Sequence, residues 1–366
     1  MRSLAPLSSL ALSRLALSCA VLAGCGPAEP ATAPPAPSSS GAVAVVVTAV
    51  PSVTAEITPT PAAEPTGTAV VAPPATPSAA APYADLAVTP GDARLEPAAA
   101  FLKAVENARA RAELAKVVAQ VDASGTLEAR LAAHVMLGRA CQLLGDTKCA
   151  AAHHGTVREL WKDPKAARDE LDALGGDDTT RFRRLGRALN AVGEALFFAA
   201  EEKRLLADQE KFPVYKGSGK KEEVLRHVNT KVAAWVKARR ARIEQADKAY
   251  VAILGLEPVP PPRWVISAGS RVGGMWAKFT TEFQAAPMPA EWKQTGLVPG
   301  GGGMTWEDIR REYHAALAAA LASTVQTARA AYRQCSAMSI KYAYKDALSQ
   351  ECDDWLARNP DPAAAP

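Results

Sequence analysis

Aromatic side chains are scarce: Trp, Tyr and Phe together make up 6% of the 366 residues. Histidine occurs five times and cysteine six. There is no His-Glu-x-x-His, no Gly-x-Ser-x-Gly and no Cys-x-x-Cys, so the local signatures of zinc peptidases, serine hydrolases and dithiol redox proteins are missing. Gly217-Ser218-Gly219-Lys220 ends like a phosphate loop. Val214 stands where the leading glycine is needed and no strand precedes it, so a flexible turn is expected. No convincing period-two alternation occurs, which argues against a sheet-based fold. Residues 26–92 lack any basic side chain, and from Ala93 onward 40 basic residues face 33 acidic ones over many helix faces. No compact basic block remains to recruit nucleic acid.

The N-terminus is more informative. Arg2 and Arg14 accompany an apolar run from Leu15 to Ala23. That run is too short for a bilayer span of about 20 residues, and it closes on small residues as a signal peptide does. Leu22-Ala23-Gly24-Cys25 resembles the lipobox of bacterial lipoproteins. The resemblance implies a signal peptide over 1–24, cleavage before Cys25, and acylation of Cys25 by chains such as palmitate. The chain is then anchored to a membrane rather than spanning it. Gly26, in place of Asp, implies export to the outer membrane, with the protein on its periplasmic face.

Residues 25–92 follow as the lipidated cysteine and a linker. Residues 26–92 hold 14 prolines and no aromatic before Tyr83. Such a segment lacks the apolar surface to offset chain entropy and is expected to be disordered. As a coil it would span about 45 Å, and as polyproline II about 200 Å. Val43 to Val47 is an apolar island within it, read as a patch in a linker.

An all-α domain is expected over 93–358, with a disordered tail at 359–366. Pro97 stands near a first helix start. Phe101, Val105, Ala108, Ala112, Ala115 and Val118 recur at three- and four-residue steps, which predicts one amphipathic helix up to Gly125. Further helices are expected over Leu127–Leu144, Lys148–Leu160 and from Pro164 to Gly175-Gly176. Longer ones follow over Asp178 to about Lys211, Lys220–Leu254 and Arg263 to about Ala286. Phe182, Leu185, Leu189, Val192, Leu196 and Phe197 predict the buried face of the first of these. After a loop over 287–304, Thr305 and Asp308 form a capping box opening a helix to about Met338. A last helix covers roughly Tyr344 to Arg358.

Leu137-Gly138, Cys141, Gly145-Asp146, Ala150, His154 and Pro164 are spaced so that the chain resembles the tetratricopeptide repeat. Leu137, Gly138, Gly145 and Ala150 are the repeat-packing residues. Gly138 and Ala150 are small where two helices touch, and Gly145 permits the turn. Cys141 and His154 occupy positions that are aromatic in the family. The C-terminal half is similar to the long-helix part of tetratricopeptide-type lipoproteins of myxobacteria. Its marks are Pro287-Met288-Pro289, Tyr332 to Cys335, and Cys352. The resemblance implies a solenoid of helical hairpins with long irregular helices.

Cys141, Cys149, Cys335 and Cys352 remain once Cys19 and Cys25 are set aside, and four cysteines allow three connectivities. The local pairing places each bridge across a predicted helical hairpin; free buried cysteine is the alternative. Cys149 and His153, beside His154 and Cys141, could form a metal site, but a bridge is the better reading in an oxidising compartment. No metal or cofactor is expected.

These features point to a tethered protein–protein interaction scaffold in the periplasm whose partner is another envelope protein. Trp235, Trp264, Trp276, Trp292, Trp306 and Tyr250 are expected mostly in the core. The alternatives are an enzyme or enzyme accessory of cell-wall or polysaccharide processing, and a passive spacer. Convergent carboxylates in unlike environments would favour an enzyme, whereas a groove of aromatic, Asn and Arg side chains would favour a scaffold. The Glu-Ser dipeptide of soluble lytic transglycosylases is absent, and His314 beside Glu312 reads as a helix-surface residue.

Overall fold

The structure is a computed structural model that describes residues 91–361. The signal peptide, the Leu22–Cys25 motif, the Val43–Val47 island and the linker as far as Pro90 lie outside the described residues, as do 362–366. Among the described residues the fold is all-helical, and the sole extended pairing is one isolated bridge between Leu297 and Thr305.

A 3₁₀ turn capped by Asp92 leads into α1 (Glu96–Lys103), with Pro97 in its first turn. Next come α2 (Asn107–Ser124) and α3 (Leu127–Leu143), the latter capped by the Thr126 hydroxyl. Then α4 (Thr147–Leu160) and α5 (Pro164–Ala173) start on the carboxylates of Asp146 and Asp163. Each cap satisfies backbone donors that the first helical turn leaves unpaired. The longer helices are α6 (Asp178–Gln209), α7 and α8 (Pro262–Gln284). Helix α7 runs through Lys221–His227, a π segment at Val228–Val232, and Ala233–Leu254. Last come α9 (Trp306–Lys341) and α10 (Ala347–Arg358).

The single first helix expected from the spacing is in fact two. Val105 adopts φ 61°, donates to Leu102 O, and lets Glu106 donate back to Phe101 O. This is a Schellman stop built without glycine, so the sequence carries no visible marker for it. The break rotates α2, and its buried face is Ala110, Leu114 and Val121, while Val105, Ala108, Ala112 and Ala115 are exposed. Phe182 is likewise exposed, outside the face formed by Leu189, Val192 and Phe197.

Apart from α5, which packs on α3 and α6, each helix packs on its predecessor, since short turns return the chain against itself. Helix α2 contacts α1 and α3, α3 contacts α4, and α6 lies across both α3 and α4. Helix α7 packs on α6, α8 on α7, α9 along α8, and α10 on α8 and α9. The α3–α4 hairpin turns tightly at Gly145; α6 and α9, at 32 and 36 residues, are roughly twice the length of α3. The main core threads from Leu95 through the α3–α4–α6 contact to Trp264 and Phe279. Trp264, Tyr250 and Phe197 are fully buried in it, and apolar side chains of this size contribute about 2–3 kcal/mol each on burial. A separate small cluster of Trp292, Trp306 and Tyr313 closes the 285–304 loop over the start of α9. There Thr305 and Asp308 form the expected capping box. Donation from the Thr305 backbone, more than anything else, pulls Asp308 down to about 2.

The chain does not end abruptly at α10. The guanidinium of Arg329 donates to the Pro360 carbonyl at 3.0 Å, and Arg333 pairs with Asp361 at 2.6 Å, so 359–361, expected in a tail, are tied to α9.

Candidate functional site

Leu137, Gly138, Gly145 and Ala150, expected to pack a repeat, meet at the α3–α4 hairpin. Leu137 and Ala150 are buried. A methyl group on Gly138 would stand 2.9 Å from His154 Nε2, so glycine is what lets α4 approach α3. Gly145 adopts φ +78°, donates to Gln142 O, and lets Asp146 donate to Cys141 O. This repeats the Schellman geometry, here with the expected glycine. The His154 ring stacks on Phe198 with centroids 4.4 Å apart. Burial pushes His154 down to about 3, with Arg139 adding to the effect.

Cys141 and Cys149 are bridged, as are Cys335 and Cys352, with Cα separations of 5.8 and 6.3 Å. The first bridge clamps the α3–α4 turn and the second ties α9 to α10. The sulfurs of Cys141 and Cys149 lie close to an Asp146 carboxylate oxygen. Because they are bonded to each other they are not metal ligands, and Asp146 itself caps α4 and pairs with Arg111. Cys25 lies outside the described residues.

Of the aromatics expected in the core, Trp235, Trp276, Trp292, Trp306 and Tyr250 are all buried. Trp264 is buried too, yet one edge borders a cavity. Ser218 does not cradle a phosphate, because its N–H and hydroxyl are both taken by the Glu223 carboxylate. His314 is exposed on α9.

The cavity, of about 400 Å³, lies between α3, α6, the first turn of α8 and the turn after α9. Its charged residues were not singled out from the sequence. Helix α3 contributes Glu128 and Arg139, and α6 contributes Arg187, Asn190 and Glu194. Arg263 and Trp264 enter from α8, and Tyr342 and Tyr344 from the last turn. Trp264 is held there because its Nε1 donates to Asn190 O at 3.0 Å, and because Gly193 leaves room for its ring. Tyr342 and Tyr344 flank Ala343, which adopts φ 49° and donates to Ile340 O while Tyr344 donates back to Ser339 O, ending α9 in a third Schellman stop.

Both carboxylates in this cavity are tied to arginines. Glu194 receives a two-pronged donation from Arg139, and both side chains are buried. Glu128 is bonded by Arg187, and Arg184 stands at 3.9 Å. A paired carboxylate has its acceptor sites filled and is poorly placed to take a proton from a substrate. A lone charge inside an apolar run was the available sequence signal: Arg139 in Val135–Cys141 and Glu194 in Ala191–Phe198. Buried charges of this kind need a partner.

A second ionic cluster lies where α6, α7 and α8 meet. Asp208 accepts from Arg204, Arg239 and Lys278. Burial opposes its ionisation, but donation from Lys278 and Arg239 outweighs that and holds it below the usual range. Tyr250 donates to Glu201, and burial, with Glu201 beside it, raises the phenol well above normal. These groups pair with one another, while Arg239 Nε and Nη1 are buried without a hydrogen-bond partner.

No family model, no characterised protein and no solved structure matches the chain.

Proposed function

We propose that the chain is a lipid-anchored cell-envelope protein whose tetratricopeptide-like helical domain binds another envelope protein, as a scaffold or assembly factor at the periplasmic face of the outer membrane. The observation that carries this reading is the cavity between α3, α6 and α8. Its polar lining is arginine, asparagine and tyrosine, and its two carboxylates are neutralised by arginines. Such a surface grips a polar segment by hydrogen bonds and aromatic contact without supplying a free acid and base. The stepwise packing of helix on helix suits an extended binding wall. Two bridges fit an oxidising compartment, in keeping with the lipobox-like motif at Cys25.

The test uses the lipidated protein as bait on detergent-solubilised membranes, beside the variant Asn190→Ala/Tyr342→Ala. Both line the cavity, Asn190 is exposed and Tyr342 half-buried, and neither pairs with a buried carboxylate, so the helical circular dichroism is expected to be unchanged. The reading predicts that a defined envelope protein is captured by the parent and lost with the variant. Identical capture by both would overturn it.

A further inference from the structure

Three of the side chains on α2, α3 and α4 form a relay that the proposed function does not use. His134 on α3 is 6% exposed. Its Nε2 lies 3.0 Å from Asp122 Oδ1 on α2, and its Nδ1 lies 2.9 Å from Nδ1 of His153 on α4. A carboxylate can only accept, so the Nε2 of His134 carries the proton and its Nδ1 presents a lone pair. That lone pair is aimed at the equivalent atom of His153. A carboxylate holding one ring nitrogen so that the other faces a partner is the arrangement that orients metal-ligating histidines.

We infer that His134 and His153 form a two-imidazole site for a divalent first-row transition cation of the zinc, copper or nickel class, with Asp122 as its positioning residue. Two nitrogens on one tetrahedral ion, each at about 2.0–2.1 Å, stand about 3.3 Å apart. The two rings face each other head-on, with centroids 5.2 Å apart, so the His153 ring has to swing sideways by about 2 Å for its Nδ1 to meet the ion at the tetrahedral angle. His153 is half-exposed and can yield, while His134 is held by Asp122. The cation takes the place of the His153 Nδ1 proton, and that ring becomes its Nε2–H tautomer. Both imidazoles stay neutral and no net proton is released. Water completes the coordination on the open side of His153. The nearby guanidinium of Arg111 would oppose a cation, but it is engaged by Asp146 at 3.0 Å. Imidazole donors suit zinc, copper and nickel over calcium or magnesium.

The test titrates the full, bridged chain, without any histidine tag, with Zn²⁺ by calorimetry and with Cu²⁺ by electron paramagnetic resonance. The parent is expected to bind one equivalent, with nitrogen hyperfine structure from two imidazoles. His153→Gln is expected to weaken binding at least 100-fold, and Asp122→Asn by about 10-fold or more. His227→Gln, whose ring bonds the Pro213 carbonyl instead, is expected to bind as the parent does. Circular dichroism and His153→Asn guard against a folding artefact. No saturable binding by the parent, or equal binding by the His153 variants, would leave the pair as a hydrogen bond and overturn the inference.

Discussion

His154→Phe should remove an acid-labile element from the α3–α4–α6 core. The His154 ring is fully buried, and neither ring nitrogen has a hydrogen-bond partner. Burial lowers its folded-state value from 6.5 to about 3. The unfolded chain therefore binds a proton that the folded chain refuses between those limits. Stability from the neutral ring is fully present above about pH 6.5 and is lost as the pH falls toward 3. At pH 4.5 the difference amounts to two pH units at about 1.4 kcal/mol each, or about 3 kcal/mol. Phenylalanine cannot protonate, and it keeps the stack on Phe198. At neutral pH the change also removes two unpaired nitrogens, worth about 1–3 kcal/mol, against crowding of the larger ring at Gly138. A net gain of about 1 kcal/mol is expected. Urea unfolding at pH 7.5 and 4.5 measures both effects. Every other group is common to parent and variant, so the comparison isolates His154. An equal loss of stability on acidification in the two proteins would refute the reasoning.

Three further changes probe the same frame. Arg139→Ala leaves the Glu194 carboxylate buried without its partner and should cost about 3–5 kcal/mol, whereas Arg139→Met/Glu194→Leu should cost clearly less in the same denaturation assay. Val105→Gly relieves a left-handed β-branched residue that is 64% exposed; a gain of about 1 kcal/mol is expected, read as a raised melting temperature. Replacing Cys335 and Cys352 together by serine opens a loop of separation 17 and should cost about 3 kcal/mol on loop entropy, slightly more than the Cys141/Cys149 pair at separation 8.

The helices were legible where their ends carry chemistry. Thr126, Asp163 and Thr305 mark starts by side-chain acceptors, and Gly125 and Gly145 mark stops, so α3, α5 and α9 begin where expected. The same stop built on Val105 and Ala343 carries no glycine; at Val105 the spacing predicts one helix where two form, and the apparent period misplaces the α2 face. The local cysteine pairing followed from hairpin spacing, because a bridge across one turn needs no knowledge of the long-range fold. The cavity was not legible. Glu128, Arg139, Arg187, Glu194, Arg263 and Tyr342 converge from four separated segments, and only the crossing of α3, α6 and α8, allowed by the small surface of Gly193 against Trp264, brings them together. The His134–His153 pair was hidden for a related reason: the sequence set His153 beside Cys149 on its own helix, while its partner sits across the hairpin.

The tether is the premise of the functional reading, and intact-mass analysis of the mature protein from membranes tests it most directly. The account predicts a chain that begins at Cys25 and carries diacylglycerol, and a Cys25→Ser variant that moves to the soluble fraction. A membrane-derived chain with an unmodified residue 25, or a serine variant that partitions as the parent does, would contradict it.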